Sequence, residues 1–189
     1  MAKVKLNPIM EQVRGQVGDL VFRRYGDEVV MSRKPDTEGR ERTEAQLATQ
    51  EQFRQAALYG KMVMADPQAK SLYEAAAHAK GMPVFSLTVA DFFHAPSVDE
   101  IDLAGYTGKT GDLIGVRASD DFEVVGVTVA IADANGQPIE AGAGVATPPK
   151  SGRWQYTATQ NVPTGTSVKI TVTATDRPGH TATQEESHG

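Results

Sequence analysis

Three carboxylates, Asp120, Asp121 and Asp176, are the residues whose type and placement come nearest to chemistry. They stand at the ends of strand-like runs, and hard oxygen ligands gathered at one end of a β-sandwich could hold Ca2+, which takes roughly six to eight of them. The chain has no D-x-D-x-D loop to supply the remainder, and Asx turns account for the same residues. They are weak metal candidates, and no metal is assigned. His78, His94, His180 and His188 show neither H-x-x-x-H nor H-E-x-x-H spacing. Glu74 and His78 share a helix face at i, i+4, for which a surface pair is the ordinary reading. No catalytic residue is assigned; an enzyme would require three or more of Asp120, Asp121, Asp176 and His180 around one cavity.

Gly105-Tyr106-Thr107-Gly108-Lys109-Thr110 has the composition of a phosphate loop. It lacks the first glycine of G-x-x-x-x-G-K-[ST], and the run from Leu113 alternates like a strand where a helix should begin, so it reads as a turn. No cofactor is expected. Arg14, Arg23, Arg24, Arg33 and Lys34, with Lys3 and Lys5, form a basic cluster among which Phe22 and Tyr25 lie. A basic β-ribbon can enter a DNA groove and rings can stack on bases. Asp19, Asp27 and Glu28 sit in the same hairpin and leave it only a small positive excess, so ion pairs to an acidic surface of a neighbouring copy account for it as well.

These side chains must be positioned by two different kinds of structure. Through His94 the chain carries 13 Lys/Arg against 12 Asp/Glu, and beyond it 6 against 12, so the halves bear +1 and −6 of the net −5. That balance argues against nonspecific nucleic-acid binding by the whole molecule. With no cysteine there is no disulfide, thiolate nucleophile or Cys–zinc site. The N-terminal residues lack a signal-peptide core, and no apolar run approaches about 20 residues, so neither Sec export nor membrane insertion is expected.

The strongest pattern is Val168, Ile170, Val172 and Ala174 against Lys169, Thr171, Thr173 and Thr175, a half-buried strand closed by the Asp176-Arg177-Pro178-Gly179 turn. Further strand-like runs lie at 101–106, 113–118, 124–132, 137–140, 153–159 and 181–185, which is the spacing of a β-sandwich. Trp154 and Tyr156 alternate, so one of them should plug its core. Before it, VGDLVFRR and EVVMSRK read as two strands of a hairpin joined at Tyr25-Gly26-Asp27. An isolated hairpin is marginal in water and needs something to lie on. Three helices follow. Thr43 and Gln46 fit a capping box, and Phe53, Ala56, Ala57, Gly60 and Met64 fall on one side. Asp66-Pro67 and Gly81 bound a second helix, and a third runs from about Val84 to Phe93 with Phe85, Val89 and Phe92 inward. The expected helical core is Phe53, Leu58, Leu72, Tyr73, Phe85, Leu87, Val89 and Phe92. The fold class is therefore an α+β N-terminal unit, residues 1–96, followed by an all-β sandwich, residues 97–189, joined near 95–100.

ASDDFEVVGVTVAIADANGQPI, GRWQYTAT and ITVTATDRPGHTATQ resemble the bacterial immunoglobulin-like domains of surface and adhesive proteins. The resemblance spans residues 99–185, and it implies an immunoglobulin-like sandwich that could serve as spacer, adhesin or assembly unit. Arg42-Thr43-Glu44-Ala45-Gln46 behind a glycine-containing hairpin resembles, more faintly, small uncharacterised proteins of bacteria and their phages.

The expected function is non-enzymatic and structural. Copies of the chain would join head-to-tail into a filament, surface fibre or virion component and display the immunoglobulin-like half. Residues 3–9 or the hairpin at 13–34 would pair with an exposed edge of the next copy, with Val4, Leu6, Leu20, Phe22, Val29 and Met31 at the interface. The partner is then the chain itself, made in the cytoplasm and assembled outside it or in a virion by a route other than Sec. The alternative is a binding module, for nucleic acid through the basic hairpin or for carbohydrate or a cell surface through the sandwich.

Overall fold

The structure, a computed structural model, describes residues 2–4, 14–25, 28–36, 41–163 and 165–189 of the chain. They fall into two compact units, Met1–Glu44 and Ala45–Gly189.

The first unit is a four-stranded antiparallel sheet of β1 (Ala2–Val4), β2 (Gly15–Val17), β3 (Leu20–Tyr25) and β4 (Glu28–Arg33), in the order β1-β4-β3-β2. The run VGDLVFRR is split into two strands, because Gly18 takes φ +57° and turns the chain back on itself after Val17. The expected two-stranded hairpin is thus extended on both sides by strands of three residues.

The second unit opens with α1 (Glu44–Ala65), α2 (Pro67–Lys80) and α3 (Val84–Phe93). Asp66 caps α2 by accepting from the Gln68 amide, Pro67 takes the first turn, and Gly81 ends the helix at φ +64°. The packed stripe of α1 is Ala56, Gly60 and Val63, which keeps Ala56 and Gly60 of the expected stripe and takes Val63 in place of Met64. Its small residues admit α3 so closely that a Cβ on Gly60 would stand 2.8 Å from Phe85 and Thr88. Phe53, Leu58, Leu72 and Phe85 therefore stand exposed, contrary to expectation, while Tyr73 and Leu87 are buried. On α3 the buried face is Leu87, Thr88 and Asp91.

Eight strands complete the unit: β5 (Ser97–Asp102), β6 (Leu113–Ser119), β7 (Val124–Asp133), β8 (Pro138–Ala143), β9 (Val145–Ala146), β10 (Arg153–Thr157), β11 (Val168–Asp176) and β12 (Thr181–His188). They form two antiparallel sheets, β5-β6-β10-β9 and β12-β11-β7-β8. Ile114, Val116 and Tyr156 of one sheet and Val129, Ile131, Ile170 and Val172 of the other make one buried core, as two sheets packed face to face require. Of the two candidate plugs, Tyr156 is buried and Trp154 packs partly against it. The expected junction at 95–100 lies inside this unit, where the chain passes from α3 through Pro96 into β5, and the helices pack on the sandwich through Tyr73 stacked on Phe122 at 3.9 Å. Among the described residues no helix is long and apolar enough to cross a membrane.

Candidate functional site

Side chains directly opposite one another in an antiparallel ladder share a face. The register pairs Phe22 with Met31, Arg24 with Val29, Leu20 with Arg33 and Val17 with Leu20. Leu20, Phe22, Val29 and Met31 therefore lie on one face, with Val17 extending it and Arg24 and Arg33 on the same side. Val4 stands opposite Val29 on the neighbouring strand. Leu6 and residues 5–9 of the expected arm lie outside the described residues, but Ala2–Val4 already pairs with β4 of its own chain.

This face covers little. Of the described apolar residues on β2, β3 and β4 only Val29 is buried, while Val17 is 68% and Leu20 39% exposed. The basic residues do not gather into one groove. Arg23 pairs with Val30 and points to the face opposite Arg24 and Arg33, while Arg14 and Lys34 flank the strands.

The three weak metal candidates have separate local roles. Asp120 accepts from the Phe122 and Glu123 amides at 3.2 and 3.1 Å, which is turn chemistry. Asp176 accepts from the Gly179 and His180 amides at 2.7 and 2.6 Å, and its second oxygen meets His180 Nδ1 at 3.0 Å. Asp121 is exposed and bonds His94, while its carbonyl accepts from Lys80. Among the described residues no group of three or more His, Asp or Glu is arranged to hold a metal ion. A groove of about 730 Å³ between α2 and the sandwich is bordered by Leu72, Trp154 and Arg177, and of Asp120, Asp121, Asp176 and His180 only Asp120 reaches it.

What does converge is a residue that sequence reasoning passed over. Asp91 is fully buried and accepts from the Tyr73 hydroxyl, which is itself within 2.7 Å of the Tyr59 hydroxyl. Burial drives the Asp91 carboxyl up to about 7, against the Tyr73 bond that lowers it and with the Asp120 and Asp176 carboxylates adding to the rise. Asp91 Oδ1 and Asp120 Oδ1 are both buried with no donor, and the two carboxyls interact. A carboxyl raised to about 7 keeps its proton through the acidic range, which spares a buried charge at Asp91. Burial raises Tyr73 too, and its bonds to Asp91 and Tyr59 add to that rise, so the phenol stays a donor. The cluster joins the helices to the sandwich, with Tyr73, Asp91 and Asp176 buried. A signal for one member was present: Asp176 continues the inward series Val168, Ile170, Val172, Ala174 at period two, so a carboxylate at that position had to be buried.

The glycine loop is a turn, and its anion is internal. Asp112 Oδ2 accepts from the Thr107 and Lys109 amides at 2.6 and 2.9 Å and from the Thr107 hydroxyl at 2.8 Å. Those amides, with the Thr107 hydroxyl and the Lys109 charge, hold its carboxyl below the usual range. The donors a phosphate would need are occupied.

No known protein family matches the sequence, and no curated protein matches it. Two solved structures align with half of it. CopC from Methylosinus trichosporium OB3b is 14% identical at a TM-score of 0.38, over 50% of this chain and 90% of that one. A conjugative transposon lipoprotein from Bacteroides eggerthii DSM 20697 is 14% identical at a TM-score of 0.26, over 50% and 94%. These likenesses assign no family, and the functional reading rests on the geometry of the chain itself.

Proposed function

We propose that this chain is a non-enzymatic structural protein that assembles with copies of itself through the sheet of residues 1–44 and displays an immunoglobulin-like sandwich. The observation that carries the reading is one face of that sheet, on which Leu20, Phe22 and Met31 lie with Val29, the one buried apolar residue among those described on β2, β3 and β4. A sheet of this size cannot offset its ordering entropy with so little burial, and contact with a further copy supplies what is missing. The β1–β4 ladder offers a route: the register Ala2↔Met31 to Val4↔Val29, made with the next copy in place of the same chain, is strand addition by exchange. Exchange repeated from copy to copy gives a head-to-tail polymer, a filament, surface fibre or virion component, and the +1 and −6 halves favour that polarity.

Size-exclusion chromatography with negative-stain microscopy on the purified chain tests this, repeated after deletion of residues 1–10. Polymers that fall to small species on deletion are expected. A monomer throughout sinks the assembly reading, and polymers that survive deletion reject the exchanged strand alone.

A further inference from the structure

The helix α1 carries a second surface, independent of the first sheet. Its packed stripe is Ala56, Gly60 and Val63. At about 100° per residue, the diametrically opposite face carries six residues, Glu44, Leu47, Glu51, Arg54, Leu58 and Lys61, within an arc of roughly 100°, with Ala65 and, at its edge, Met62 beside them. All six are exposed, and Leu47 and Leu58 each remain 50% accessible. From Ala56 onward the helix is anchored on its other side, while residues 44–55 are exposed all round, so both leucines are apolar area turned to solvent in a charged setting.

The order of these residues is self-complementary. Leu47 and Leu58 lie at equal distances from the point between Gln52 and Phe53, as do Glu51 and Arg54, and again Glu44 and Lys61. A second α1 laid antiparallel across the first, with a two-fold axis at that point, therefore sets each leucine against the partner's other leucine. It also sets each acid against a base. An isologous two-fold contact demands this property, since residue i must meet j while j meets i. A parallel pair in register would instead oppose Glu51 to Glu51 and Arg54 to Arg54. Within one chain Arg54 Nη2 already meets Glu51 Oε1 at 2.6 Å, so two copies would close a four-membered ring of alternating charge.

We propose that the solvent face of α1 is a docking surface for a second copy of this chain, paired antiparallel with Leu47 against Leu58 and Glu51 against Arg54. Two leucine contacts and exposed ion pairs make a small interface, so the pairing is weak, about micromolar or looser, and salt-sensitive. Combined with the polymer contact proposed above, it would join strands side by side; without that contact it gives dimers.

Cysteine cross-linking reads the register directly, because the chain has no cysteine of its own. Leu47→Cys and Leu58→Cys are made separately in the full chain, and their folding is checked by circular dichroism. The antiparallel register holds like positions about 16 Å apart along the helix and brings unlike positions together. A mixture of the two variants should form the disulfide-linked dimer at least about tenfold faster than either alone. Glu51→Arg and Arg54→Glu should each weaken self-association in sedimentation about tenfold, and carrying both changes on one chain, or mixing the single variants, should restore it. Equal cross-linking by the single variants overturns the register. Sedimentation as a monomer across the whole concentration range, with no mixture-specific cross-link, overturns the docking surface; mixture-specific cross-linking that persists when residues 1–10 are deleted separates this contact from the strand exchange.

Discussion

Asp91→Asn tests the energetics of the helix–sandwich junction. The wild-type carboxyl sits at about 7 in the folded chain against 3.8 for the free group, raised mainly by burial. Between those values the folded state binds the extra proton, so this group's contribution to stability is present at acidic pH, falls as pH rises from about 4 and is lost above about 7. A shift of that size corresponds to roughly 4 kcal/mol, which we halve to about 2 kcal/mol for water penetration and screening. The amide of Asp91→Asn stays neutral at every pH. Its carbonyl can still accept from Tyr73, and its NH2 takes the place of the carboxyl proton beside Asp120. Urea unfolding at pH 5 and pH 8 should show the variant more stable than wild type at pH 8 by about 2 kcal/mol, with the difference shrinking towards pH 5. A variant less stable than wild type at pH 8, or a difference that does not change with pH, would refute the account of a buried, protonated Asp91.

Other outcomes follow from packing and turn geometry. A Cβ on Gly142 would lie 2.8 Å from the ring of Tyr156, whose hydroxyl is held by Glu140, so Gly142→Ala should cost about 1–3 kcal/mol in urea unfolding. Asp176→Ala leaves two turn amides without their acceptor and should destabilise by about 2–4 kcal/mol, with loss of hydrogen-exchange protection at Gly179 and His180. Asp112→Asn replaces the carboxylate that draws the Thr107 and Lys109 amides together, and it should loosen that loop while leaving the melting temperature within a few degrees of wild type.

The sandwich was legible because strand alternation is a local property. Seven of its strands fall within a few residues of the runs read from the sequence, and the α2 caps at Asp66 and Gly81 were readable for the same reason. The helical core was legible only in part. Ala56 and Gly60 pack where their spacing puts them, as do Tyr73 and Leu87, whereas Phe53 of the same stripe and Leu58 stand exposed, because close approach of α1 to α3 leaves room for small residues alone. Asp91 escaped notice because a lone carboxylate in an apolar helix carries no motif. Its meaning comes from Tyr73 on one helix, Asp120 beyond β6 and Asp176 at the end of β11, a conjunction that exists only once the chain has folded.

The central claim is that the apolar face of the first sheet is an assembly surface. Sedimentation velocity on the full chain and on Val17→Asp/Leu20→Asp tests it most directly, since both positions are exposed on that face and a charge there should not disturb the sandwich. Polymers are predicted for the wild type, and monomers or at most dimers for the variant. Polymers unchanged by both charges, or a wild type that stays monomeric at every concentration, would contradict the account.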